Sequence, residues 1–362
     1  MENRLIDIFL QLAKIEGLSQ KEKDVADYIK KFLEDLGLKP AFDDSSKASQ
    51  SNTNNIICKI GNGGDFVLQS HMDTARSTSG LNPVITTTKI TSDGSTVLGV
   101  DNRAGVAILL YLAEKITKEK TPVKDFALAF TTCEETSLDG SKNIGLNGNT
   151  KYGFIFDSFL DPGKFVSSGL GAVSFKIEVF GKAAHSGIAP EEGVNVMSIT
   201  VDALKKLEAG RVDEETTINF GIINGGSAVN VVPDYLFLEG EIRSKNSESV
   251  THHKNKIADI FNRSADEKGG RIKISFNWDF KPYYIEKTDE VYKRIEEAII
   301  KVDLIPESEI SWGGSDANSL NARGIKSVNI GIGAKNPHSN KEFILIEDLN
   351  KSFEIALALV EK

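Results

Sequence analysis

The spacing of apolar residues is the feature that most constrains the fold of this 362-residue chain, and this spacing changes near residue 169. Before that point, short apolar runs such as Phe66–Gln69 and Phe126–Phe130 alternate with longer segments of helical periodicity. Strands that alternate with helices are typical of a mostly parallel sheet covered by helices. The first part of the chain is therefore predicted to be an α/β domain.

One helix of this part has recognisable ends in the sequence. Ser19 and Glu22 have the spacing of a capping box, which predicts that the helix begins at Ser19. Gly37 is a typical helix stop. The apolar positions between these ends recur on one face of the helix: Val25, Ile29, Phe32, Leu33 and Leu36.

From about Gly169 the pattern becomes that of a second, smaller domain. Residues 172–181 alternate apolar and polar side chains, as a strand with one exposed face does. The resulting β-α-β-β-α-β order predicts a split βαβ, ferredoxin-like unit. The later segments are a helix, two strands, a helix and a strand, at 194–207, 217–225, 235–244, 250–265 and 271–278.

Past Pro282 the α/β pattern returns and continues to a closing helix at 347–360. The prediction is one α/β domain formed by residues 1–168 and 281–362, into which a smaller domain of residues 169–280 is inserted.

The composition limits the classes of function. Hydrophobic residues make up 40% and charged residues 26% of the chain, a balance typical of soluble globular proteins. The net charge is −9 and no cluster of Lys and Arg interleaved with aromatic residues occurs, so nucleic acid is not an expected partner. No apolar run approaches the ~18 residues of a membrane span, so no membrane partner is expected. Cys58 and Cys133 form no CxxC pair and the N-terminus lacks a signal-peptide core, which favours a cytoplasmic location.

Several polar residues of the predicted α/β domain follow a strand or begin a helix. In open α/β sheets, ligands bind beyond the carboxyl ends of the strands, so these residues are expected to surround one crevice. They comprise two imidazoles and several carboxylates: His71, Asp73, Asp101, Glu134, Glu135, Asp157 and His338.

This set of side chains suits a pair of divalent cations. Imidazole and carboxylate are usual zinc ligands, and two zinc ions ~3.5–4 Å apart need a bridging carboxylate. Asp101 is the expected bridge, with His71 and Asp157 on one ion and Glu135 and His338 on the other. The expected cofactors are therefore two Zn²⁺, and the same ligands also accept Co²⁺ or Mn²⁺.

Each of these residues also has a purely structural interpretation. Glu134, next to a ligand, is expected to be the general base that takes a proton from water, yet a Glu-Glu pair is usually solvated. An isolated His-x-Asp pair such as His71 and Asp73 is common on surfaces, and Asp101 could simply cap the helix that follows it. Their shared position at strand and helix ends is what favours a metal site.

Several segments resemble the co-catalytic zinc exopeptidases, the family of peptidase T, the glutamate carboxypeptidases and aminoacylase. The resemblance spans nearly the whole chain, its motifs occur in the family's order, and the β-α-β-β-α-β insertion resembles the family's lid domain. The segments are SHMDTA (70–75), GVDNRAGVA (99–107), TTCEETSLDGSKNIG (131–145), FDS (156–158), GKAAHSGIAPEEGVN (181–195), GGSDANSL (313–320) and NPHSNKE (336–342).

By this resemblance, the zinc ligands and the base would be the residues already named for those roles. The resemblance further implies that Asp73 orients His71 and that the Asp101–Asn102 peptide bond is cis. It also implies that His185 of the lid domain stabilises the oxyanion, often across a dimer. A homodimer formed through the lid domain is therefore an expected assembly.

The resemblance also provides candidates for substrate binding. Asn230 and Arg243 resemble lid residues that contact substrate, and Arg243 would bind a free carboxylate through its planar fork. A surface salt bridge is the competing interpretation for Arg243. Gly314 lies in GGSDAN, where a glycine backbone can approach substrate closely.

Within the family, HMDT (71–74) and GGSDAN (313–318) most resemble peptidase T, a tripeptide aminopeptidase. The prediction is therefore a dinuclear zinc metallopeptidase that hydrolyses short peptides. An N-acyl amino acid deacylase or a carboxypeptidase has the same metal core and stays an alternative. Outside the enzymes, the alternatives are a non-catalytic, metal-dependent peptide-binding protein and a two-domain solute sensor. The presence of Glu134 and of paired histidines favours the enzyme.

Overall fold

The computed structural model describes residues 2–362, with side chains from Arg4 onward. The chain forms two compact units. The first contains the described residues up to Ser168, together with Tyr284–Ser311 and Ser315–Lys362. The second contains Gly169–Tyr283 and Trp312–Gly314.

Helices and strands alternate over most of the first unit, whereas strands dominate the second. The helices are α1 (Glu2–Ala13), α2 (Lys23–Asp35), α3 (Ser46–Ser49), α4 (Val100–Glu119), α5 (Glu134–Ser137), α6 (Asp139–Lys142), α7 (Val196–Leu204), α8 (Ser247–Asp266), α9 (Glu290–Lys301), α10 (Asp316–Ala322) and α11 (Ile346–Val360). The strands are β1 (Pro40–Phe42), β2 (Ile56–Ile60), β3 (Phe66–His71), β4 (Pro83–Ile85), β5 (Lys89–Ser92), β6 (Phe126–Thr131), β7 (Tyr152–Ser158), β8 (Lys164–Gly169), β9 (Gly171–Phe180), β10 (Gly210–Arg211), β11 (Thr216–Gly225), β12 (Tyr235–Ser244), β13 (Arg271–Phe280), β14 (Tyr283–Tyr284), β15 (Glu307–Ser311), β16 (Lys326–Gly331) and β17 (Phe343–Leu345). Across residues 2–362, these helices lack the combination of length and apolar character that spanning a bilayer requires.

The first unit is built on a sheet with the strand order β1-β2-β6-β3-β7-β16-β8-β14, in which β15 also pairs with β8. Its central strands β6, β3, β7 and β16 are mutually parallel, whereas β1, β2 and β8 pair antiparallel with their neighbours. This arrangement confirms the predicted mostly parallel, helix-covered sheet. A second, antiparallel sheet of β17, β5 and β4 is not predicted by the sequence pattern, because its strands are only 3 or 4 residues long.

The central strands are buried on both faces. Every residue of β3 and β6 is buried, which explains why their sequences are continuous apolar runs rather than alternating ones. Phe66, Phe126 and Phe154 pack their rings together near the amino ends of these strands. Burial of each such side chain contributes about 1.5–3 kcal/mol. This packed sheet holds the residues at its carboxyl edge in fixed positions.

The second unit is an antiparallel sheet with the strand order β10-β11-β12-β9-β13. One face of the sheet packs with α7 and α8 on a core that includes Ile177, Val179, Leu238 and Phe261. The opposite face carries the polar residues that alternate with them along each strand. The order β9-α7-β11-β12-α8-β13 confirms the predicted β-α-β-β-α-β insertion.

The predicted start of the second helix is wrong, because α2 begins at Lys23 rather than at Ser19. The hydroxyl of Ser19 donates a hydrogen bond to Asp73 at 2.6 Å instead of capping the helix. The carboxylate of Glu22 accepts a hydrogen bond from the backbone N–H of Cys133 at 2.9 Å. Both residues thus serve partners that are distant in sequence, which a local capping pattern does not distinguish.

Candidate metal centre

The structure brings all five predicted metal ligands together at the carboxyl edge of the central sheet. His71 is the last residue of β3, and Asp157 lies near the end of the adjacent parallel strand β7. Nε2 of His71 lies 3.0 Å from Oδ1 of Asp157 and 3.1 Å from Oδ1 of Asp101. Nε2 of His338 lies 3.0 Å from Oδ2 of Asp101 and 3.1 Å from Oε2 of Glu135.

Asp101 therefore stands between two groups of donors, one at each of its carboxylate oxygens. Asp101 and Asn102 have non-helical backbone angles within α4, and it is the side chain of Asn102 that caps the helical turns after them, by accepting a hydrogen bond from the N–H of Gly105 at 3.0 Å. Asn102 also donates to the carbonyl of Phe156 at 2.8 Å, which ties this loop to β7. The Asp101–Asn102 peptide bond is cis, as the resemblance implies.

The donors fit divalent cations. His71, Asp101 and Glu135 each offer a ligand atom, and these three atoms lie within 4.8 Å of one another. Among the described residues, no hydrogen-bond partner exists for the buried Oε1 of Glu135, so this oxygen is available to a cation. Imidazole nitrogen with carboxylate oxygen suits zinc and its neighbours in the first transition row.

The carboxylates of this cluster are crowded and shielded from water. Burial raises the pKa of Glu134 well above its usual value, and repulsion by Asp157 adds to the effect of burial. Burial, with repulsion by Asp101, raises the pKa of Glu135 to about 7. Burial likewise raises the pKa of Asp157. Such a concentration of buried negative charge is stabilised by positive charge at its centre.

The two imidazoles respond to the same carboxylates in the opposite direction. Burial lowers the pKa of His71, but Asp157 and Asp101 outweigh burial and hold this pKa well above its usual value. Hydrogen bonds with Asp101 and Glu135 raise the pKa of His338 to about 10. A proton on either imidazole occupies the place that a cation would take, since both bind to the same nitrogen lone pair.

Asp73 fixes the positions of His71 and of the adjacent residues Glu134 and Glu135. Nδ1 of His71 lies 3.1 Å from the carbonyl oxygen of Asp73 and 3.3 Å from its Oδ1, so a proton on Nδ1 leaves Nε2 facing the cluster. The same carboxylate accepts hydrogen bonds from the backbone N–H groups of Glu134 and Glu135, each at 3.1 Å. Asp73 therefore fixes both the ring of His71 and the first turn of α5.

The turn from β6 into α5 depends on buried contacts that the sequence motifs do not indicate. Cys133 has a φ of 55°, a left-handed conformation that is unfavourable for a non-glycine residue. Its N–H is bound by Glu22, whose side chain is fully buried. Burial raises the pKa of the Cys133 thiol, which disfavours the thiolate that a nucleophilic cysteine requires.

Glu134, the predicted base, faces the same cluster. Its Oε2 lies 4.0 Å from Nε2 of His71, and its side chain is only 10% exposed. Asp316 adds negative charge behind it and contributes to the raised pKa of Glu134. Oδ2 of Asp316 accepts hydrogen bonds from Gln69 in β3 and from Thr131 at the end of β6.

Sequence reasoning missed several residues that hold the cluster in place. The buried carboxylate of Glu342 accepts hydrogen bonds from the N–H groups of Gly99, at 2.7 Å, and Asp101, at 3.2 Å. Asn329 on β16 donates to Oδ2 of Asp157 at 3.2 Å. Glu342 ends the NPHSNKE segment, so an acid within a motif was the available signal; nothing local marks Asn329, which acts through strand pairing.

The remaining predicted site residues lie in the second unit. Nδ1 of His185 accepts a hydrogen bond from the N–H of Gly187 at 3.2 Å, which leaves Nε2 as the donor of a neutral ring. The carbonyl of Asn230 accepts a hydrogen bond from the N–H of Ser186 at 3.0 Å, so Asn230 and His185 lie on neighbouring loops.

Arg243 and Gly314 both have structural partners in this unit. Arg243 forms an ion pair with Glu241 and donates to the carbonyl of Trp312. A Cβ at position 314 would lie 2.5 Å from the ring of Phe280, so the absence of a side chain at Gly314 allows its backbone to pack on that ring.

Comparisons with known proteins agree with this geometry. The model of a peptidase dimerisation domain matches residues 170–269, and that of peptidase family M28 matches residues 55–191. The chain is 30% identical to the uncharacterized protein YqjE of Bacillus subtilis over 365 residues, covering 100% of this chain and 98% of that protein. It is 26% identical to peptidase T of Enterococcus faecalis over 283 residues, 76% of this chain and 68% of that enzyme.

Two crystal structures of peptidases are similar over nearly their whole length. A tripeptidase from Staphylococcus aureus has a TM-score of 0.93 and 30% identity, covering 100% of this chain and 98% of that one. The aminopeptidase PepT from Bacillus cereus has a TM-score of 0.92 and 30% identity, covering 99% and 98%. Together with the metal-ligand cluster, these similarities show that the chain belongs to the M20 family of metallopeptidases.

Proposed function

We propose that this chain is a dinuclear zinc aminopeptidase that cleaves short peptides, with tripeptides as the preferred substrates. The observation that carries the proposal is the position of Asp101, whose two oxygens face two separate groups of donors. A single bridging carboxylate with imidazole and carboxylate donors on either side is the arrangement that a two-cation hydrolase needs.

We assign the five clustered side chains to two cations. His71 and Asp157 would hold one ion, Glu135 and His338 the other, and Asp101 both. Two divalent cations bound there would polarise the scissile carbonyl and lower the pKa of water from ~15.7 towards ~7. Zinc is the proposed metal because the donors combine imidazole with carboxylate, and Co²⁺ or Mn²⁺ would be accepted in substitution.

The residues of the chain would move the proton and stabilise the charge that develops. Glu134 would accept a proton from the attacking water and pass it to the departing amine, a role that suits a buried carboxylate of raised pKa. Asp73 would keep the ring of His71 in the required tautomer. His185 would donate its Nε2 proton to the oxyanion, because Nδ1 already accepts a hydrogen bond from Gly187.

The second unit would recognise the substrate. We assign to Arg243 the binding of the free C-terminal carboxylate, since a guanidinium binds carboxylate through two parallel hydrogen bonds. Asn230 would bind the peptide backbone through its amide, and the backbone at Gly314 would pass close to the substrate.

A homodimer formed through the second unit is part of the proposal. Within the described residues, the part of β11 that follows Ile218 pairs with β12 alone, and Ile222 and Ile223 in this part are about half exposed, at 51% and 57%. Met197 and Val201 on α7 are also exposed. An exposed apolar strand edge is a template for pairing with a second chain, and the match to a peptidase dimerisation domain covers this region.

The preference for tripeptides rests on the relatives, because the tripeptidase of Staphylococcus aureus and PepT of Bacillus cereus are both similar over almost the entire chain. The test is to remove metal with a chelator, restore zinc, and measure hydrolysis of dipeptides, tripeptides, amidated tripeptides and N-acetylated amino acids. We expect zinc-dependent release of the N-terminal residue from tripeptides. Preferred release of the C-terminal residue would indicate a carboxypeptidase, preferred cleavage of N-acetyl groups a deacylase, and zinc binding without hydrolysis a peptide-binding protein.

A further inference from the structure

Arg243 of the second unit is the proposed binding residue for the substrate carboxylate, and it already forms an ion pair with a carboxylate of the chain itself, that of Glu241. Nε of Arg243 donates to Oε1 of Glu241 at 3.0 Å, and Nη2 donates to Oε2 of the same residue at 3.0 Å. The two residues are two positions apart on β12 and therefore share one face of the sheet. This is the two-bond geometry in which a guanidinium binds a substrate carboxylate most strongly.

A third hydrogen bond fixes the other side of the guanidinium. Nη1 of Arg243 donates to the carbonyl oxygen of Trp312 at 3.0 Å. The guanidinium of Arg211 lies 4.1 Å from the centre of the Trp312 ring, which holds that residue in place. Of the five N–H groups of Arg243, the remaining two are divided between Nη1 and Nη2.

The ion pair is nevertheless accessible. The side chains of Arg243 and Glu241 are 33% and 38% exposed. The residues paired with Arg243 on the flanking strands are Thr217 and Ala172, whose side chains are too short to cover the guanidinium. A ligand can therefore reach Arg243 while Glu241 is in place.

We propose that Glu241 determines specificity by competing with the substrate carboxylate for Arg243; this inference rests on the proposed function of Arg243. A substrate carboxylate must either displace Glu241 from the two-bond position or share the guanidinium with a second negative charge. In both cases Glu241 weakens the binding of every ligand that carries a free C-terminal carboxylate. The dipeptide left after cleavage of a tripeptide carries the same carboxylate, so the return of Glu241 to Arg243 favours product release.

The test compares Glu241→Gln with wild-type enzyme on trialanine, its C-terminal amide and the dialanine product. Glutamine keeps the size of the side chain and removes its charge. We expect KM for trialanine and the inhibition constant of dialanine to fall together by about three- to fivefold, the range for loss of a partly exposed ion pair. KM for the amide should stay unchanged, because the amide has no C-terminal charge for Glu241 to repel. The kcat of the variant should not rise.

Glu239→Gln is the matched control. Glu239 lies on the same strand and face, is similarly exposed at 39%, and pairs with Lys176 at 2.9 Å rather than with Arg243. This variant should keep wild-type constants for all three ligands. An unchanged or raised KM for trialanine in Glu241→Gln, or an equal change for the amide, would overturn the inference.

Arg243→Gln separates this inference from the proposed function. If this variant loses the preference for trialanine over its amide while Glu241→Gln has no effect, only the competition by Glu241 is refuted. If Arg243→Gln keeps the wild-type preference, Arg243 does not bind the carboxylate, and both its proposed role and the inference fail. Absence of peptide hydrolysis by the zinc-loaded wild type would refute the proposed function itself.

Discussion

The metal-ligand cluster of the first unit and the candidate substrate residues of the second differ in how their charges are compensated. In the first unit, Asp101, Glu134, Glu135 and Asp157 are shielded from water, and their side chains are between 6% and 18% exposed. In the second unit, Arg243 is paired with a carboxylate and its side chain is 33% exposed. The first region therefore has an excess of negative charge, whereas the positive charge of Arg243 in the second region is neutralised by Glu241.

This difference indicates how each region responds to a ligand. The excess of buried negative charge favours cations strongly, since cations relieve repulsion that the fold itself imposes. The ion pair of the second region opposes a charged ligand weakly, since a partly exposed pair is worth at most about 1 kcal/mol. We expect the first region to set whether the enzyme works and the second to set which peptides it prefers.

The largest expected effect is that of Glu134→Gln in the first unit. The variant keeps the shape of the side chain but lacks a base, so kcat should fall by about 10²–10⁴-fold while both cations stay bound. Steady-state kinetics with metal analysis of the same sample measures both quantities. Asp139→Asn, a change in the next short helix, should leave both unchanged. Near-normal turnover in Glu134→Gln would show that another group is the base.

His185→Ala tests whether a residue of the second unit also contributes to the chemical step. Loss of one oxyanion donor should lower kcat by about 10²–10³-fold. Metal content should not change, because His185 lies outside the metal-ligand cluster. His252→Ala, a change of an exposed histidine on α8, is the control and should keep wild-type kcat. If His185→Ala alters only KM, the residue binds substrate and does not stabilise the transition state.

Asp73→Asn should have a smaller effect, and one on metal affinity. The change weakens the interaction that orients His71 and the acceptor for the N–H groups of Glu134 and Glu135, so zinc affinity should fall by about 10–100-fold. Competition with a chromogenic chelator measures the affinity. Ser19→Ala removes a single hydrogen bond to Asp73 and should have the lesser effect of the two. Equal zinc affinity in Asp73→Asn and in the wild type would show that Asp73 does not support metal binding.

Zinc affinity should also depend on pH. Glu135, with a pKa raised to about 7, and His338, with a pKa raised to about 10, each hold a proton at pH 6. A cation must displace these protons, so affinity should fall as pH is lowered, by about tenfold per pH unit for each proton displaced. Titration of chelator-treated enzyme with zinc between pH 6 and pH 9 measures the slope. An affinity that is constant over this range would contradict the assignment of Glu135 and His338 as ligands.

Much of the fold could be predicted from the sequence because its elements have strong local patterns. The continuous apolar runs of β3 and β6 and the alternation in β9 correspond to buried and half-exposed strands. The position of His71 at the end of β3 then followed from the general location of ligand sites in α/β sheets. Short elements such as β4 and α3 have too few residues to show a period, so they were not predictable.

The supporting residues of the metal centre were harder to predict, because their contacts join segments far apart in sequence. Ser19 has a capping pattern but bonds to Asp73, 54 residues away. Glu342 accepts a hydrogen bond from the backbone of Asp101, 241 residues away. No local periodicity contains such information. Arg243 and Glu241 are close in sequence, yet only the side-chain geometry shows that Glu241 accepts two parallel hydrogen bonds from the guanidinium.

The central claim is that Asp101 serves two cations at once, and metal stoichiometry tests it most directly. Wild-type chain and Asp101→Ala would be stripped with a chelator, equilibrated with excess zinc, freed of unbound metal by gel filtration and analysed by mass spectrometry of the metal. We expect two zinc ions per wild-type chain and a loss of both, or of all but a weakly held one, in Asp101→Ala. One zinc ion per wild-type chain, or two in Asp101→Ala, would contradict the account.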